Sequence, residues 1–204
     1  MDKGAKIERD SFSIIEAEMR RHFDELTLPV VKRVIHATGD FEFEDILKFH
    51  SHAVPSGIAA IRAGKDIFVD VKMVEAGINK QALRHFGGSV ICHISDEDVA
   101  STARQNGMTR AECAVEKAFL NRSINVGIAA IGNAPTALIR LMEIIEDSDA
   151  APGLIVGVPV GFVMAEESKA ILAKKTYPHI TCLGRKGGSS IAAAIINAIV
   201  RLAG

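Results

Sequence analysis

A histidine that closes an apolar run, followed at once by Ala-Thr-Gly-Asp, is well placed to move a proton. His36 ends such a run in "KRVIHATGD" (32–40), and Gly39 stands where a helix would stop on a left-handed residue. Unpaired carbonyls and the negative end of a helix dipole favour an imidazolium there by about 0.3–1 kcal/mol. A ring so placed can donate and accept a proton near neutral pH. Many helices also end in a histidine that merely caps carbonyls. On the residues alone both readings stand.

Other candidates suit anions. Thr109 and Glu112 in "TRAE" have capping-box spacing, and Arg110 falls in the first helical turn. A cation there opposes the helix dipole, so Arg110 is either a solvated side chain or a partner, with the dipole, for an anionic ligand. Three turns, "IGNAPTA" (131–137), "GVPVGF" (157–162) and "GRKGGSS" (184–190), put Gly or Pro where a strand would enter a helix. They could present free helix N–H groups to carboxylates, or be tight turns with no ligand. Arg185 and Lys186 make the last the most suggestive. None matches a P-loop or a dinucleotide fingerprint. His50 and His52 are spaced by two with no third ligand nearby, which favours structural or surface histidines over a metal site. His22, His85, His93 and His179 belong to no motif.

The elements that must position these residues follow from periodicity and punctuation. Helices are expected over "SFSIIEAEMRRHF" (11–23), with Ser11 or Ser13 as N-cap, and over "LPVVKRVIHATG" (28–39), with Pro29 in the first turn. "VPSGIAAIRAG" (54–64) repeats this punctuation, with Ser56 as cap and Gly64 as stop. "DIFVDVKMV" (66–74) and "SVICHI" (89–94) read as strands. A helix over "SDEDVASTARQNG" would have Ser95 and Asp98 as its capping pair. Three units then share one plan: "NVGIAAIG", "GLIVGVPVG" and "HITCLGRKGGS" each run through a glycine-bearing turn into a helix. Near-continuous apolar strands alternating with helices imply an α/β fold, a mainly parallel sheet flanked by helices on both faces. Ligands in such folds gather at the carboxyl ends of the strands. With 204 residues and no linker, a single domain over 1–204 is expected.

Charge is balanced, 24 Lys and Arg against 25 Asp and Glu, so there is no cationic excess for general nucleic-acid binding. Cys92, Cys113 and Cys182 are sparse and odd in number, which points to a reducing compartment. The N-terminus is polar, and the apolar stretch 153–165 is short and holds turn residues, so a cytoplasmic protein with no membrane partner is expected.

Taken together, "SFSIIEAE", "KRVIHATGDFEFEDIL", "DVKMVEAGI", "TRAECAVE", "AIGNAPTAL", "GVPVGFV" with "AEESK", and "GRKGGSSIAAAIINA" resemble the precorrin-8X methylmutase family of corrin (vitamin B12) biosynthesis. The segments run in family order from Ser11 to Ala198. The resemblance implies an isomerase that moves a methyl group from C-11 to C-12 of a contracted tetrapyrrole by a sigmatropic shift. It implies no cofactor and no protein metal site; any cobalt belongs to the substrate. The family's proton-exchanging histidine falls on His36, and its substrate contacts fall on Ser11 and Arg110. Arg33, Arg185 and Lys186 are added as anion partners by charge and position. The implied partners are the corrinoid precursor and a second copy, in a homodimer. The usual small-residue run after "GVPVGFV" is here Met164-Ala165-Glu166, which alters the local pocket. "KRVIHATGDFEFEDIL", "GINKQALRHFGG" and "GRKGGSSIAAAI" are more similar to the branch acting on cobalt-precorrin-8 than to the branch acting on metal-free precorrin-8X. A carrier that binds the tetrapyrrole without chemistry is the rival from another class.

Overall fold

The computed structural model describes residues 3–120, 125–148 and 152–204. In chain order the elements are α1 (Lys3–Glu18), α2 (Thr27–Thr38), α3 (Phe43–Ile46), β1 (Leu47–Phe49), α4 (Ala53–Arg62), β2 (Asp66–Val69), α5 (Lys72–Gly77), α6 (Lys80–Arg84) and β3 (Val90–Ile91). They continue with α7 (Glu97–Asn106), α8 (Arg110–Phe119), β4 (Val126–Ile131), α9 (Pro135–Ser148), β5 (Leu154–Gly157), α10 (Ala165–Leu172), β6 (His179–Cys182) and α11 (Ser189–Ala203). The sheet order is β1-β6-β5-β4-β2-β3. All neighbours are parallel except β1, which pairs antiparallel to β6 with Leu47 opposite Cys182.

Strand alternation sorts the core into two layers. Ile67, Val69, Ile128, Ala130, Leu154 and Val156 face α1, α2, α4, α5 and α11. Their neighbours Phe68, Ala129, Ile131 and Ile155 face α7, α8, α9 and α10. Both faces are covered, so these strands are apolar at nearly every position. The helix "SIAAAIINAIV" is apolar almost all round and is correspondingly the buried one, packed against α2, α4 and α5.

Several local expectations hold. Pro29 lies in the first turn of α2, and Gly39 closes it at φ 65° with its N–H on the Ile35 carbonyl. The Thr109–Glu112 capping box is complete. Others need correction. Helix α1 starts at Lys3, because the segment before Ser11 is rich in helix formers. Ser11 and Ser13 are interior residues whose hydroxyls donate to the carbonyls four residues back, Ile7 and Arg9. Ser56 likewise lies inside α4. Helix α7 is entered from Asp96 with no side-chain cap, so Ser95 stays outside it. The expected strand 66–74 ends at Val69, and Lys72 onward is helical. Of the strand expected at 89–94, only Val90–Ile91 pairs.

Candidate active site

The carboxyl ends of the parallel strands open onto one rim. Residues 132–134 follow β4, 158–164 follow β5 and 183–188 follow β6. The start of α8 joins this rim, since Thr109 Oγ1 lies 3.1 Å from Thr136 Oγ1 in the first turn of α9. Helix α2 arrives from the other face of the sheet. Its first turn shares a cavity of about 340 Å³ with Ala198, Arg201 and Leu202 of α11, whereas Asp40, just beyond its end, meets Lys186, just before α11. The two helices therefore run antiparallel, and the end of α2 that bears His36 sits at the rim.

His36 is exposed, and its ring lies 5.1 Å from that of Phe12 on α1, tilted by 31°. The same phenyl ring takes the Arg33 guanidinium at 4.6 Å. Arg33 is also bonded to Glu8 at 2.6 Å, so its charge is already met within the protein. Ser11, next to Phe12, is half-buried, and its hydroxyl donates to the Ile7 carbonyl at 2.9 Å. The packing of α1 on α2 thus gathers Arg33 and His36 around Phe12, with Ser11 the preceding residue of α1.

The two basic residues of the glycine turn have different surroundings. Lys186 donates to Asp40 at 2.5 Å and to Glu42 at 2.8 Å. The Lys186 ammonium holds the Asp40 carboxyl below its usual range, and Asp40 raises Lys186 in return. A substrate carboxylate would have to displace both acids. Arg185 is exposed, lies 5.4 Å over the Phe162 ring, and has no carboxylate partner among the described residues. Phe162 belongs to an apolar lip with Val160, Val163 and Met164, of which Phe162 is 84% and Val163 78% exposed. Met164 has φ 60°, a left-handed conformation that costs a side-chain-bearing residue about 1–2 kcal/mol.

Arg110 is exposed at the first position of α8 and makes no ion pair among the described residues. It borders an open groove of about 480 Å³ with Ala100, Ala103, Arg104 and Met108. Its helix start is fixed by Thr109 and Glu112, so the guanidinium projects from a rigid corner of the rim.

Two buried groups at the rim escaped sequence reasoning. Asp70, just past β2, accepts the backbone N–H groups of Gly132, Asn133 and Ala134 at 2.8–3.0 Å. Burial pushes its carboxyl up, and the three donors pull the other way. It occupies the N-terminus of α9, so a ligand anion must find its donors elsewhere on the rim. A lone acid ending the apolar run "DIFVD" was the available signal. Lys169 of α10 is fully buried, with Nζ 2.5 Å from the Lys186 carbonyl and 3.8 Å from Cys182 Sγ. Burial lowers its ammonium and raises the Cys182 thiol.

A rim with an exposed imidazole, two free guanidinium groups and an apolar lip can exchange a proton with, and hold, a large anionic ring. The sequence profile of the precorrin-8X methylmutase family matches residues 6–202. The chain belongs to that family. It is 47% identical over 97% of its length to the cobalt-precorrin-8 methylmutase of Priestia megaterium, covering 88% of that protein. Against the cobalt-precorrin-8 methylmutase of Leptospira interrogans it is 45% identical, covering 98% of this chain and 94% of the other. The solved structure of the precorrin-8X methylmutase from Thermus thermophilus superposes with a TM-score of 0.90 at 42% identity, over 98% of this chain and 96% of that one. The fold of that methylmutase is therefore shared over nearly the whole chain. No helix among the described residues is long and apolar enough to cross a membrane.

Proposed function

We propose that this methylmutase of cobalamin biosynthesis acts on cobalt-precorrin-8, moving a methyl group from C-11 to C-12 to give cobyrinic acid. The observation that carries the reading is His36: an exposed imidazole at the rim, on a helix end, with one ring face backed by Phe12. His36 exchanges a proton with the macrocycle and so favours the tautomer in which the methyl group migrates. The shift is internal to the substrate, so no cofactor is needed, and the cobalt is carried by the substrate. Positioning, rather than bond-making by the protein, is then the main catalytic demand.

Arg110 and Arg185, whose guanidinium groups face no carboxylate among the described residues, hold peripheral carboxylates of the ring. Phe162, Val163 and Met164 offer an apolar surface to its face. Ser11 contributes a hydroxyl from α1. Arg33 and Lys186 remain in their ion pairs, where they shape the site instead of binding the substrate. The cobalt-bearing substrate is favoured because the relatives at 47% and 45% identity carry that name, while the Thermus structure named for precorrin-8X stands at 42%. The assembly is a homodimer, for which Ile7 and Ile14, 57% and 58% exposed and seven residues apart, give α1 an outward apolar stripe.

Purified protein incubated with cobalt-loaded and with metal-free precursor tests this reading through the absorption change that accompanies altered conjugation. Faster conversion of the cobalt form supports it, and faster conversion of the metal-free form assigns the protein to the other branch. Recovery of both precursors unchanged from a tight complex would identify a carrier instead.

A further inference from the structure

Lys186 is fixed at both ends. Its carbonyl accepts from the buried Lys169 ammonium at 2.5 Å and from the Cys182 thiol at 3.1 Å. Its own ammonium reaches 146 residues back in sequence to Asp40 at 2.5 Å and also holds Glu42 at 2.8 Å. The loop between β6 and α11 and the turn after α2 are thereby joined across the rim.

The joined turn is stitched to the helix end that bears His36. Asp40 N–H donates to Thr38 Oγ1 at 3.2 Å, and that hydroxyl donates to the Val34 carbonyl at 2.9 Å. Asp40 also accepts the Glu42 N–H at 2.9 Å, so one carboxylate organises the turn and meets the lysine. Gly39 N–H closes on Ile35 at 2.8 Å. Any displacement of Asp40 is therefore passed to the last turn of α2, and Phe12 alone would be left to set the ring.

We infer that Lys186 is a positioning residue for His36, clasping Asp40 and Glu42 so that the end of α2 is held at a fixed place on the rim. This inference rests on His36 being the proton-exchanging group. It gives Lys186 a role distinct from substrate binding, and Thr38 and Asp40 a role in the same device. Lys169 anchors the clasp from beneath, by bonding the carbonyl of the residue that reaches out.

The test compares Lys186→Ala, Asp40→Ala, both together, and the charge-swapped pair Lys186→Glu with Asp40→Lys, which restores an ion pair across the gap and one to Glu42. Misplacing a catalytic group by about 1 Å lowers rate by about a hundredfold, so kcat should fall about 10- to 100-fold in either single variant. KM for the precursor should stay near that of the wild type, the double Ala variant should be no worse than the singles, and the swap should recover most of kcat. A raised KM with kcat intact would make Lys186 a substrate contact and overturn the inference, as would additive losses or a swap that fails to rescue. A second readout needs no turnover: the His36 Cε1–H resonance of the ligand-free protein should move in Lys186→Ala and return in the swap. An unmoved resonance overturns the clasp whatever the substrate proves to be. A wild type that leaves precursor unchanged while the resonance behaves as expected would instead count against the proposed function alone.

Discussion

Replacing Gly187 with alanine should damage stability and turnover together. A Cβ built on Gly187 would stand 2.3 Å from the Val158 carbonyl oxygen and 2.8 Å from that of Pro159, both backbone atoms. An ordinary carbon–oxygen contact needs about 3.2 Å, so the turn must retreat by about 0.9 Å, with a strain of about 1–3 kcal/mol. The Val158 oxygen also accepts the Gly188 N–H at 2.8 Å, a bond worth about 1 kcal/mol that the retreat would weaken. Together these come to about 1–4 kcal/mol, and for a chain of this size about 2–4 °C of melting temperature follows each kcal/mol, so Gly187→Ala should melt about 2–16 °C lower. The moved turn carries Lys186, so kcat should fall by at least about tenfold. Calorimetry and the absorption assay read the two effects. A variant melting within about 1 °C of wild type with unchanged kcat would refute the close approach from which both magnitudes are worked.

Three further outcomes follow from individual contacts. Thr109→Ala removes the hydroxyl that accepts the Glu112 N–H and should cost about 1 kcal/mol in urea unfolding, with a higher KM as Arg110 loses its fixed base. Asp70→Ala leaves the N–H groups of Gly132, Asn133 and Ala134 without their acceptor and should destabilise by about 3–5 kcal/mol in the same measurement. The Asp40 carboxyl lies below its ordinary value of 3.8 because of Lys186, so its contribution to stability is present above that pH and lost as pH falls through the lowered value. Melting temperatures measured from pH 5 downward should therefore fall more steeply for wild type than for Lys186→Ala.

The readable parts of this fold are those where one segment suffices. The three strand–turn–helix units after residue 124 are each marked by an apolar run, a glycine and a helical period, and each forms, although the helix of the second, expected from Phe162, begins only at Ala165. The Thr109–Glu112 box and the Gly39 stop are likewise local, since the groups they satisfy lie within four residues. Ser11 misled because a serine hydroxyl serves equally well bonded back to a helix carbonyl, and only the preceding residues decide between the two. Ser56 misled because α4 already begins at Ala53, three residues earlier. Strand β1 carried no alternation in its three residues and exists through its pairing with β6, more than 130 positions away. At the site, helix-end chemistry left His36 as either a carbonyl cap or a proton carrier, only the family resemblance favoured the second, and its neighbour Phe12 comes from another helix. Charge alone could not separate Arg185 from Lys186, because the two acids that occupy the lysine lie far off in sequence. Asp70 and Lys169 were hidden for the same reason: their partners are main-chain groups of distant turns.

The central claim is that His36 carries the proton on which methyl migration depends. Wild type and His36→Ala, matched for precursor binding by titration, should be mixed with cobalt-precorrin-8 and followed by the absorption change in single turnover. Wild type should convert the bound precursor, and His36→Ala should bind it and convert it at least about a hundredfold more slowly, in the range expected for loss of a general acid–base group. Conversion by His36→Ala at the wild-type rate would contradict the account.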